Sequence, residues 1–241
     1  MGTNSAEYMR QYKKDHPERK QKEHKRYKKA HPEKVKAMKK RYKEKAHLDV
    51  LNYYSDGMME CGSCEESHIE FLEIDHIHGG GSQHKEDINV DLYRWLKTKG
   101  FPGGYQVLCS NCNTKKARLT AKENADAGTT LQRKYYRRTI RMKKDIFSHH
   151  MHDGKIQCSC CGVDDIDVLC LDYKNYSDLK VTTYGGRELY LWIRKNGYPS
   201  MFRILCSNCV QSYARYGYCP HDFSRNNLPV VSPVSLPMVI S

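Results

Sequence analysis

The chain has few apolar residues for its length. Hydrophobic residues make up 39% of its 241 positions, and the mean hydropathy is −0.81. A chain this polar cannot bury one large core, so we expect small domains that need an additional source of stability, such as bound metal or disulfides. No apolar run is long enough to span a bilayer, and no segment is typical of a secretion signal. We therefore expect an intracellular, non-secreted protein of the cytoplasm or nucleus without a membrane partner.

Acidic residues are scarce relative to basic ones. Lysine and arginine number 41 against 28 aspartates and glutamates, which gives a net charge of +13 and an isoelectric point near 9.2. An excess of positive charge attracts polyanions, and nucleic acid is the usual polyanionic partner of such chains. We therefore expect a nucleic acid, DNA or RNA, as the partner, and no small-molecule substrate.

Cysteine, by contrast, is abundant, with eleven residues of which eight form four C-x-x-C pairs. In an intracellular chain such pairs indicate metal ligands before disulfides, and an odd count leaves one thiol unpaired in any all-disulfide scheme. Four thiolates form a closed tetrahedral zinc site with no position open for water or substrate. We predict two structural Zn²⁺ ions, with disulfides or unrelated buried thiols as the alternatives. The predicted ligands are Cys61, Cys64, Cys109 and Cys112 in one site and Cys158, Cys161, Cys206 and Cys209 in the other. Of the other three, Cys160 is expected to compete for the metal, Cys170 to be a core thiol and Cys219 a bystander.

The two cysteine quartets belong to an internal duplication. A shift of 97 residues superposes the first quartet on the second without a gap from 56 to 113. It also superposes Trp95 on Trp192, the only two tryptophans, and Asp75 on Asp172. Repetition at a fixed period is the signature of a duplicated structural unit. We therefore predict two tandem α+β modules, at 56–120 and 153–225. In the first, strands are expected at 69–77 and 105–109 and helices at 88–99 and 111–119.

The remaining segments are basic and are predicted to be helical. Residues 1–55 contain 15-residue repeats, each with a Pro-Glu pair (Pro17-Glu18, Pro32-Glu33) that suits the first turn of a helix. Residues 1–50 carry 17 basic against 7 acidic residues, a net charge of +10. We interpret this arm as a solvated helix, and the more specific hypothesis is that it binds the DNA backbone. A second basic helical segment is predicted at 121–152, and a flexible tail at 226–241.

The first module carries a set of residues suited to phosphodiester chemistry. Asp75 and His76 are adjacent on the first predicted strand, so their side chains point to opposite faces, and one can bind a metal while the other polarises water. Asn113 begins the final helix and can add an amide oxygen. One carboxylate and one amide form a sparse oxygen shell, typical of Mg²⁺ that keeps several waters. We predict one catalytic Mg²⁺ (or Mn²⁺) on Asp75 and Asn113. The alternative is that His76 is merely a polar residue on an edge strand.

These residues resemble the zinc-stapled branch of the HNH, or ββα-metal, nucleases, which carry a D-H pair on the first strand and C-x-x-C-N-x-x-K at the final helix. They also resemble the phage recombination endonucleases of the endonuclease VII type. The resemblance covers residues 61 to about 119. It implies two ββα-metal modules and a DNA endonuclease in which His76 is the general base, with Asp75 and Asn113 at the metal and His78 and Lys116 as auxiliary residues. Many HNH nucleases have an asparagine shortly before the second C-x-x-C pair, and this asparagine is absent at 103–106.

The second module keeps Asp172 but lacks the other candidate catalytic residues. Tyr173 stands for His76, Asn175 for His78, Val210 for Asn113 and Tyr213 for Lys116. A valine cannot bind a metal, so we predict a degenerate module that binds or positions DNA. The predicted phosphate-binding residues are Lys115, Lys116, Arg118, Arg133, Lys134, Arg137, Arg138 and Arg141.

The resulting hypothesis is a metal-dependent DNA endonuclease. The resemblance allows a homing or mobile-element enzyme, a viral nicking enzyme or a branch-resolving nuclease. The alternatives from other classes are a non-cleaving, zinc-dependent nucleic-acid-binding factor and a structural component of a nucleoprotein assembly.

Overall fold

The computed structural model describes residues 5–88, 90–151, 153–173 and 186–225, so the predicted tail at 226–241 lies outside the described residues. The described chain is mixed α/β, as predicted, with ten α-helices and two two-stranded sheets. None of these helices is both long and apolar enough to cross a lipid bilayer. The helices are α1 (Ser5–Asp15), α2 (Pro17–Ala30), α3 (Pro32–Tyr54), α4 (Gly81–Ile88), α5 (Leu92–Thr98), α6 (Ser110–Ala127), α7 (Thr130–His149), α8 (Gly186–Lys195), α9 (Ser207–Tyr216) and α10 (Pro220–Arg225). The strands are β1 (Leu72–His76), β2 (Tyr105–Cys109), β3 (Leu169–Tyr173) and β4 (Phe202–Cys206).

The N-terminal arm consists of three consecutive helices, α1 to α3. Helix α2 begins at Pro17 and α3 at Pro32, which confirms the helix starts predicted from the Pro-Glu pairs. Proline lacks only a donor that would have no partner in the first turn, and the following glutamate lies near the positive end of the helix dipole. Nearly all described side chains of α2 are exposed, so this helix is a solvated, basic segment.

The chain divides into two compact units. The first comprises Met1–Val50 and Ser82–Pro102, and the second comprises Leu51–Gly81 and Gly103–Ser241. In the first unit, an ion pair between Lys97 and Asp49 and an edge-to-face contact between the rings of His47 and Tyr93, 4.6 Å apart, link α5 to α3. Leu96 of α5 is fully buried.

The two modules share one backbone frame. β1 pairs with β2, and β3 with β4, both antiparallel, and the register partners Leu72↔Cys109 and Leu169↔Cys206 are related by the 97-residue shift. The same shift relates the turns, because Asp56 and Asp153 both have a φ of 51°. This shared geometry is the structural counterpart of the duplication in the sequence. We refer to residues 56–120 as module 1 and to residues 153–225 as module 2.

Several elements differ in length from their predicted bounds. β2 has the predicted bounds, whereas β1 is shorter than predicted, since a 3-10 turn precedes it and the chain turns after His76. Gly79 and Gly80 make that turn with φ values of 76° and 82°, which other residues rarely adopt. The helix predicted at 88–99 corresponds to α5, which begins at Leu92 and ends at Thr98. The side chain of Asp91 is its N-cap and accepts a hydrogen bond from the backbone N–H of Arg94. A separate helix, α4, ends at Ile88, where the predicted helix would begin.

Two basic helices, α6 and α7, follow β2 and lead from module 1 towards module 2. The sequence pattern predicts an end of α6 near 119, but the helix continues to Ala127, because the added turns consist largely of good helix formers such as alanine, lysine and glutamate. The segment predicted as a helical linker at 121–152 contains the end of α6 and helix α7, with a break at Gly128 and Thr129. Helix α7 begins with a capping box in which Thr129 and Gln132 each bond the other's backbone amide.

A reciprocal pair of hydrogen bonds joins the two modules within the second unit. The backbone N–H of Asn208 donates to the side-chain oxygen Oδ1 of Asn111 over 3.0 Å, and the backbone N–H of Asn111 donates to Oδ1 of Asn208 over 2.8 Å. The two asparagines are equivalent under the 97-residue shift, so the modules meet about a local two-fold axis at the first turns of α6 and α9. Thr114 also donates to Ser207 over 2.9 Å. Module 2 therefore supports the start of α6, where the candidate residues Asn113 and Lys116 lie.

Helix α7 buries one charged side chain. Lys143 is 3% exposed, donates to the carbonyl oxygen of Ile166 over 2.6 Å and lies 5.2 Å from the centre of the Phe147 ring. Burial, aided by the nearby charge of Arg118, lowers the pKa of Lys143 from 10.5 to about 8. The folded protein therefore binds this proton more weakly than the unfolded chain does.

This difference predicts a specific pH dependence of stability. Between pH 8 and pH 10.5 the unfolded chain keeps the proton that folded Lys143 has released, so stability rises with pH. Relative to Lys143→Met, the free energy of unfolding of the wild type should rise between pH 7 and pH 10 by on the order of 2 kcal/mol. Urea unfolding of both proteins at the two pH values measures this. The control is Lys144→Met, at an exposed position of α7. Because this variant keeps Lys143, the difference between its free energy of unfolding and that of the wild type should not change with pH. A gap between wild type and Lys143→Met that is constant with pH would contradict the assignment.

Candidate active site and metal centres

The first cysteine quartet lies where the β1–β2 hairpin meets α6. The sulfurs of Cys61, Cys64, Cys109 and Cys112 all lie within 4.8 Å of one another, and Cys64 Sγ is 3.7 Å from Cys109 Sγ. A tetrahedral zinc with Zn–S bonds of about 2.3 Å holds its sulfurs about 3.8 Å apart. A disulfide would need about 2.05 Å, and all eleven cysteines are free thiols. The quartet is therefore spaced to hold a zinc ion.

The second quartet repeats this arrangement in module 2. Cys158 Sγ lies 3.8 Å from Cys209 Sγ, and Cys206 Sγ lies 3.7 Å from Cys161 Sγ and 3.5 Å from Cys209 Sγ. Three of the four side chains are buried, and that of Cys161 is half-buried. Both predicted quartets are thus brought together in space, and both could hold zinc.

Metal binding at these thiols is coupled to protons. Burial raises the pKa of the Cys109 thiol, which is 1% exposed. A zinc ligand must be a thiolate, so zinc binding to this quartet releases protons and weakens as the pH falls.

Next to the first quartet, β1 and α6 face each other through polar side chains. Asp75 accepts hydrogen bonds from Lys116 Nζ over 2.6 Å and from Gln106 Nε2 over 2.7 Å, and its side chain is only 11% exposed. Two residues earlier on the same face of β1, Glu73 Oε1 accepts from Asn113 Nδ2 over 2.9 Å. Residues three apart lie on one side of a helix, so Asn113 and Lys116 contact both carboxylates together. Helix α6 therefore faces β1 through these two side chains.

Lys116 uses all of its donors inside module 1. Besides Asp75, its ammonium group donates to the carbonyl oxygens of His76, over 2.7 Å, and Ile77, over 3.0 Å. An ammonium group has three N–H bonds, so all of them have a protein acceptor. The side chain therefore ties the end of β1 to α6.

His76 lies on the other face of β1, as the alternation along a strand predicts. Its cross-strand partner is Tyr105, and the two rings lie 4.8 Å apart, edge to face. A Cβ at Gly81 would lie 3.0 Å from His76 Nδ1, so the absence of a side chain there makes room for the imidazole. His78 is exposed and follows the strand end, so strand alternation does not place it beside His76.

Glu73 is the site residue that the sequence reasoning missed. The signal is present in the sequence, because residues i and i+2 of a strand share a face and Asp75 is a candidate metal ligand. What the sequence does not show is that Glu73 has two partners from different modules. Its second oxygen accepts from Gln211 of α9 over 3.3 Å, so module 2 contacts the candidate site of module 1 directly.

Module 2 keeps its strand aspartate but neutralises it differently. Asp172 is 2% exposed and accepts from Arg203 Nε over 2.8 Å. Arg203 stands at the position of Gln106 in module 1, and its guanidinium carbon lies 4.9 Å from the ring of Tyr213, which replaces Lys116. Each module thus pairs a shielded aspartate with a cation, supplied by the helix in module 1 and by the neighbouring strand in module 2.

One hydrogen-bonded pair of module 1 is replaced as a whole in module 2. Cys170 and Val210 occupy the positions of Glu73 and Asn113, so both members of that hydrogen-bonded pair are replaced together. The position of His78 is taken by Asn175, which lies outside the described residues, and only the backbone of Tyr173 is described.

The predicted phosphate-binding residues fall into two groups. Lys134, Arg137, Arg138 and Arg141 are exposed and follow the i, i+3, i+4, i+7 spacing of one face of α7. Others have partners within the protein. Arg133 donates to the carbonyl oxygens of Asp126 and Gly128, both over 3.0 Å, Lys115 pairs with Asp165 over 2.8 Å, and Arg118 is half-buried.

No model of a known protein family matches the chain, and comparisons with curated proteins and with solved structures give no match either. The class of protein is therefore defined by the fold and the sites: a mixed α/β chain with a duplicated module, in which each copy has a cysteine quartet that could hold zinc.

The metal centre of module 1 can be tested by removing one ligand. Cys109→Ser should carry one zinc fewer per chain than the wild type, measured by native mass spectrometry. Loss of a structural zinc removes on the order of 10 kcal/mol of folding free energy, so module 1 should also become sensitive to proteolysis. Cys170→Ser, which alters a cysteine outside both quartets, is the control and should keep the full metal content. Unchanged zinc in Cys109→Ser would exclude the site.

Proposed function

We propose that the chain is a metal-dependent DNA endonuclease in which module 1 hydrolyses the phosphodiester bond and module 2 positions the DNA. One observation carries the proposal. Module 1 combines two carboxylates, an asparagine and a lysine between β1 and α6 with a histidine at the end of the same strand. Module 2 keeps the same strand register but lacks the equivalents of Glu73, Asn113 and Lys116. The contrast favours a chemical role for these residues in module 1.

The oxygen donors between β1 and α6 suit a hard divalent cation. Carboxylate and amide oxygens are the ligands that Mg²⁺ and Mn²⁺ prefer, whereas the thiolates of the quartets suit zinc. We propose Asp75 and Asn113 as ligands. Because Asn113 Nδ2 donates to Glu73, the amide oxygen Oδ1 is the end left for a metal. An ion bound there would stabilise negative charge on the phosphate.

The protein's own groups supply the proton transfer and the positioning. His76 accepts the proton of the attacking water, the role in which imidazole is most often used at neutral pH. The ring of Tyr105 packs edge to face against the imidazole, and Gly81, which has no side chain, leaves room beside Nδ1. Lys116 positions Asp75 by its ion pair and fixes the strand end through two backbone carbonyls.

Two separate DNA-binding segments are proposed: the N-terminal arm and the basic face of α7, which is defined by Lys134, Arg137, Arg138 and Arg141. No ion pair is present for these four side chains within the described part of the chain. Basic groups without acidic partners can release counterions from DNA phosphates when they bind. The arm adds 17 basic against 7 acidic residues in its first 50 positions.

A second candidate function has its own supporting observation. Lys116 pairs with Asp75 and so satisfies that carboxylate without a metal ion. A module in which the lysine keeps this position would bind nucleic acid without cleaving it. Metal-dependent cleavage distinguishes the two functions.

The cleavage hypothesis predicts the effect of two substitutions. On supercoiled plasmid with Mg²⁺ or Mn²⁺, His76→Ala should lower the cleavage rate by about 100-fold or more, the usual contribution of a general base. Asn113→Ala should lower it as well, because it removes a proposed metal ligand. Val210→Ala, at the equivalent position of module 2, is the matched control and should cleave like the wild type.

DNA binding by each variant is measured alongside, so that a loss of cleavage is not mistaken for a loss of affinity. If His76→Ala cleaves like the wild type, His76 is not the general base. If no protein cleaves plasmid or branched DNA although all bind it, the non-cleaving function is the correct one.

The proposed DNA-binding face predicts a change in salt dependence. Replacing all four of its basic residues by glutamine should reduce the slope of log Kobs against log [salt] by about 0.9 for each DNA phosphate that is no longer neutralised, up to about 3.6 in total. Arg133→Gln is the control on the same helix. Its guanidinium already donates to two backbone carbonyls, so the slope should hardly change. Equal slopes for the wild type and the fourfold variant would exclude α7 as the DNA-binding face.

A further inference from the structure

Module 2 holds a second group of metal-ligating side chains beside its quartet. Cys160, Cys209, Cys219 and His221 have ligand atoms that all lie within 4.8 Å of one another. Cys219 Sγ is 3.6 Å from Cys209 Sγ, and His221 Nδ1 is 3.4 Å from Cys209 Sγ and 3.7 Å from Cys219 Sγ. The expectation that Cys219 is a bystander is therefore not met, because its thiol is fully buried in this group.

These separations match a tetrahedral zinc site with one nitrogen ligand. Bonds of about 2.3 Å to sulfur and about 2.05 Å to nitrogen give about 3.8 Å between two sulfurs and about 3.6 Å between a sulfur and a nitrogen. The observed distances lie within a few tenths of an ångström of both values. Three cysteines and one histidine are also a common ligand set for structural zinc.

The two groups of ligands share only Cys209. Its sulfur lies 3.8 Å from that of Cys158 and 3.5 Å from that of Cys206 in the quartet, as well as close to Cys219 and His221. A thiolate has enough lone pairs to bind two metal ions at once. The geometry is therefore that of two tetrahedra that meet at one vertex.

The chain path that forms the second group is specific to module 2. Helix α9 ends at Tyr216, where Gly217 adopts a φ of 80° and reverses the chain direction. The chain then returns through α10, which brings Cys219 and His221 back to Cys209. In module 1, α6 instead continues as a helix to Ala127. The corresponding residues of module 1 are Ser63, Lys122 and Asn124, which replace both cysteines and the histidine.

We propose that module 2 binds two zinc ions in one cluster, with the Cys209 thiolate as the bridge. Cys158, Cys161 and Cys206 complete one tetrahedron, and Cys160, Cys219 and His221 complete the other. The second ion balances the charge of the two added thiolates, Cys160 and Cys219, so the net charge of the cluster is the same as with one zinc in the quartet. The cluster links α10 and the end of α9 to the segment 158–161, which contains the first C-x-x-C pair of module 2. This inference does not depend on the nuclease proposal.

The metal count is the first test, on the full chain prepared with zinc and measured by native mass spectrometry. The wild type should carry three zinc ions, one in module 1 and two in module 2. Cys219→Ser and His221→Ala should each carry two, whereas Cys170→Ser, in the same module but in neither tetrahedron, should carry three. Two zinc ions in the wild type would overturn the proposal, whichever quartet of module 2 holds the metal.

The bridging role of Cys209 is tested separately on the wild type. This result does not require that a substituted protein folds. After substitution with ¹¹³Cd, we expect three cadmium resonances, two of which show scalar coupling to each other through the shared thiolate. Cys219→Ser should abolish the coupling and leave two resonances. Three uncoupled resonances would show separate sites and overturn the shared Cys209.

Discussion

The cysteine quartet at the end of each hairpin is the constraint on which the rest of each module depends. Cys109 is the last residue of β2, a member of the quartet and the N-cap of α6, where its sulfur accepts from the Cys112 amide over 3.4 Å. One residue thus determines both where the strand stops and the direction in which the helix leaves. Asn113 and Lys116 face β1 as a consequence, since they follow this junction within the first two turns. A chain with so few apolar residues has little else with which to fix that angle.

The interface between β1 and α6 is polar in module 1, which limits how it can change. A shielded carboxylate without a partner is costly, so removing one member of a pair is worse than removing both. Module 2 follows this rule. The pair Glu73–Asn113 is replaced by Cys170 and Val210, while Asp172 is retained together with a new cation, Arg203. The replacements within this interface are therefore coordinated, since one carboxylate is replaced together with its asparagine partner and the other is retained with a new cation.

The two modules have diverged around a shared contact. The reciprocal bonds between Asn111 and Asn208 keep the local two-fold relation, and Gln211 extends it by reaching Glu73 of module 1. Module 2 lacks most of the candidate catalytic groups and instead has Cys160, Cys219 and His221 beside its quartet. Module 2 thus has more side chains that could ligate metal, and it contacts the β1–α6 interface of its neighbour through Gln211.

Much of this organisation could be read from the sequence, because local spacing encodes it. The 97-residue repeat, the two quartets, the bounds of β2 and the helix starts at Pro17 and Pro32 all follow from patterns within short segments. Other features follow only from the tertiary structure. The partners of Glu73, the use of all three Lys116 donors and the approach of His221 to Cys209 depend on where helices end and how modules meet. Such contacts join residues far apart in the chain or across a turn, and no periodicity marks them. Residue spacing determined the ligands and the frame, whereas chain reversal at Gly217 and packing about the Asn111–Asn208 pair decided which side chains share a site.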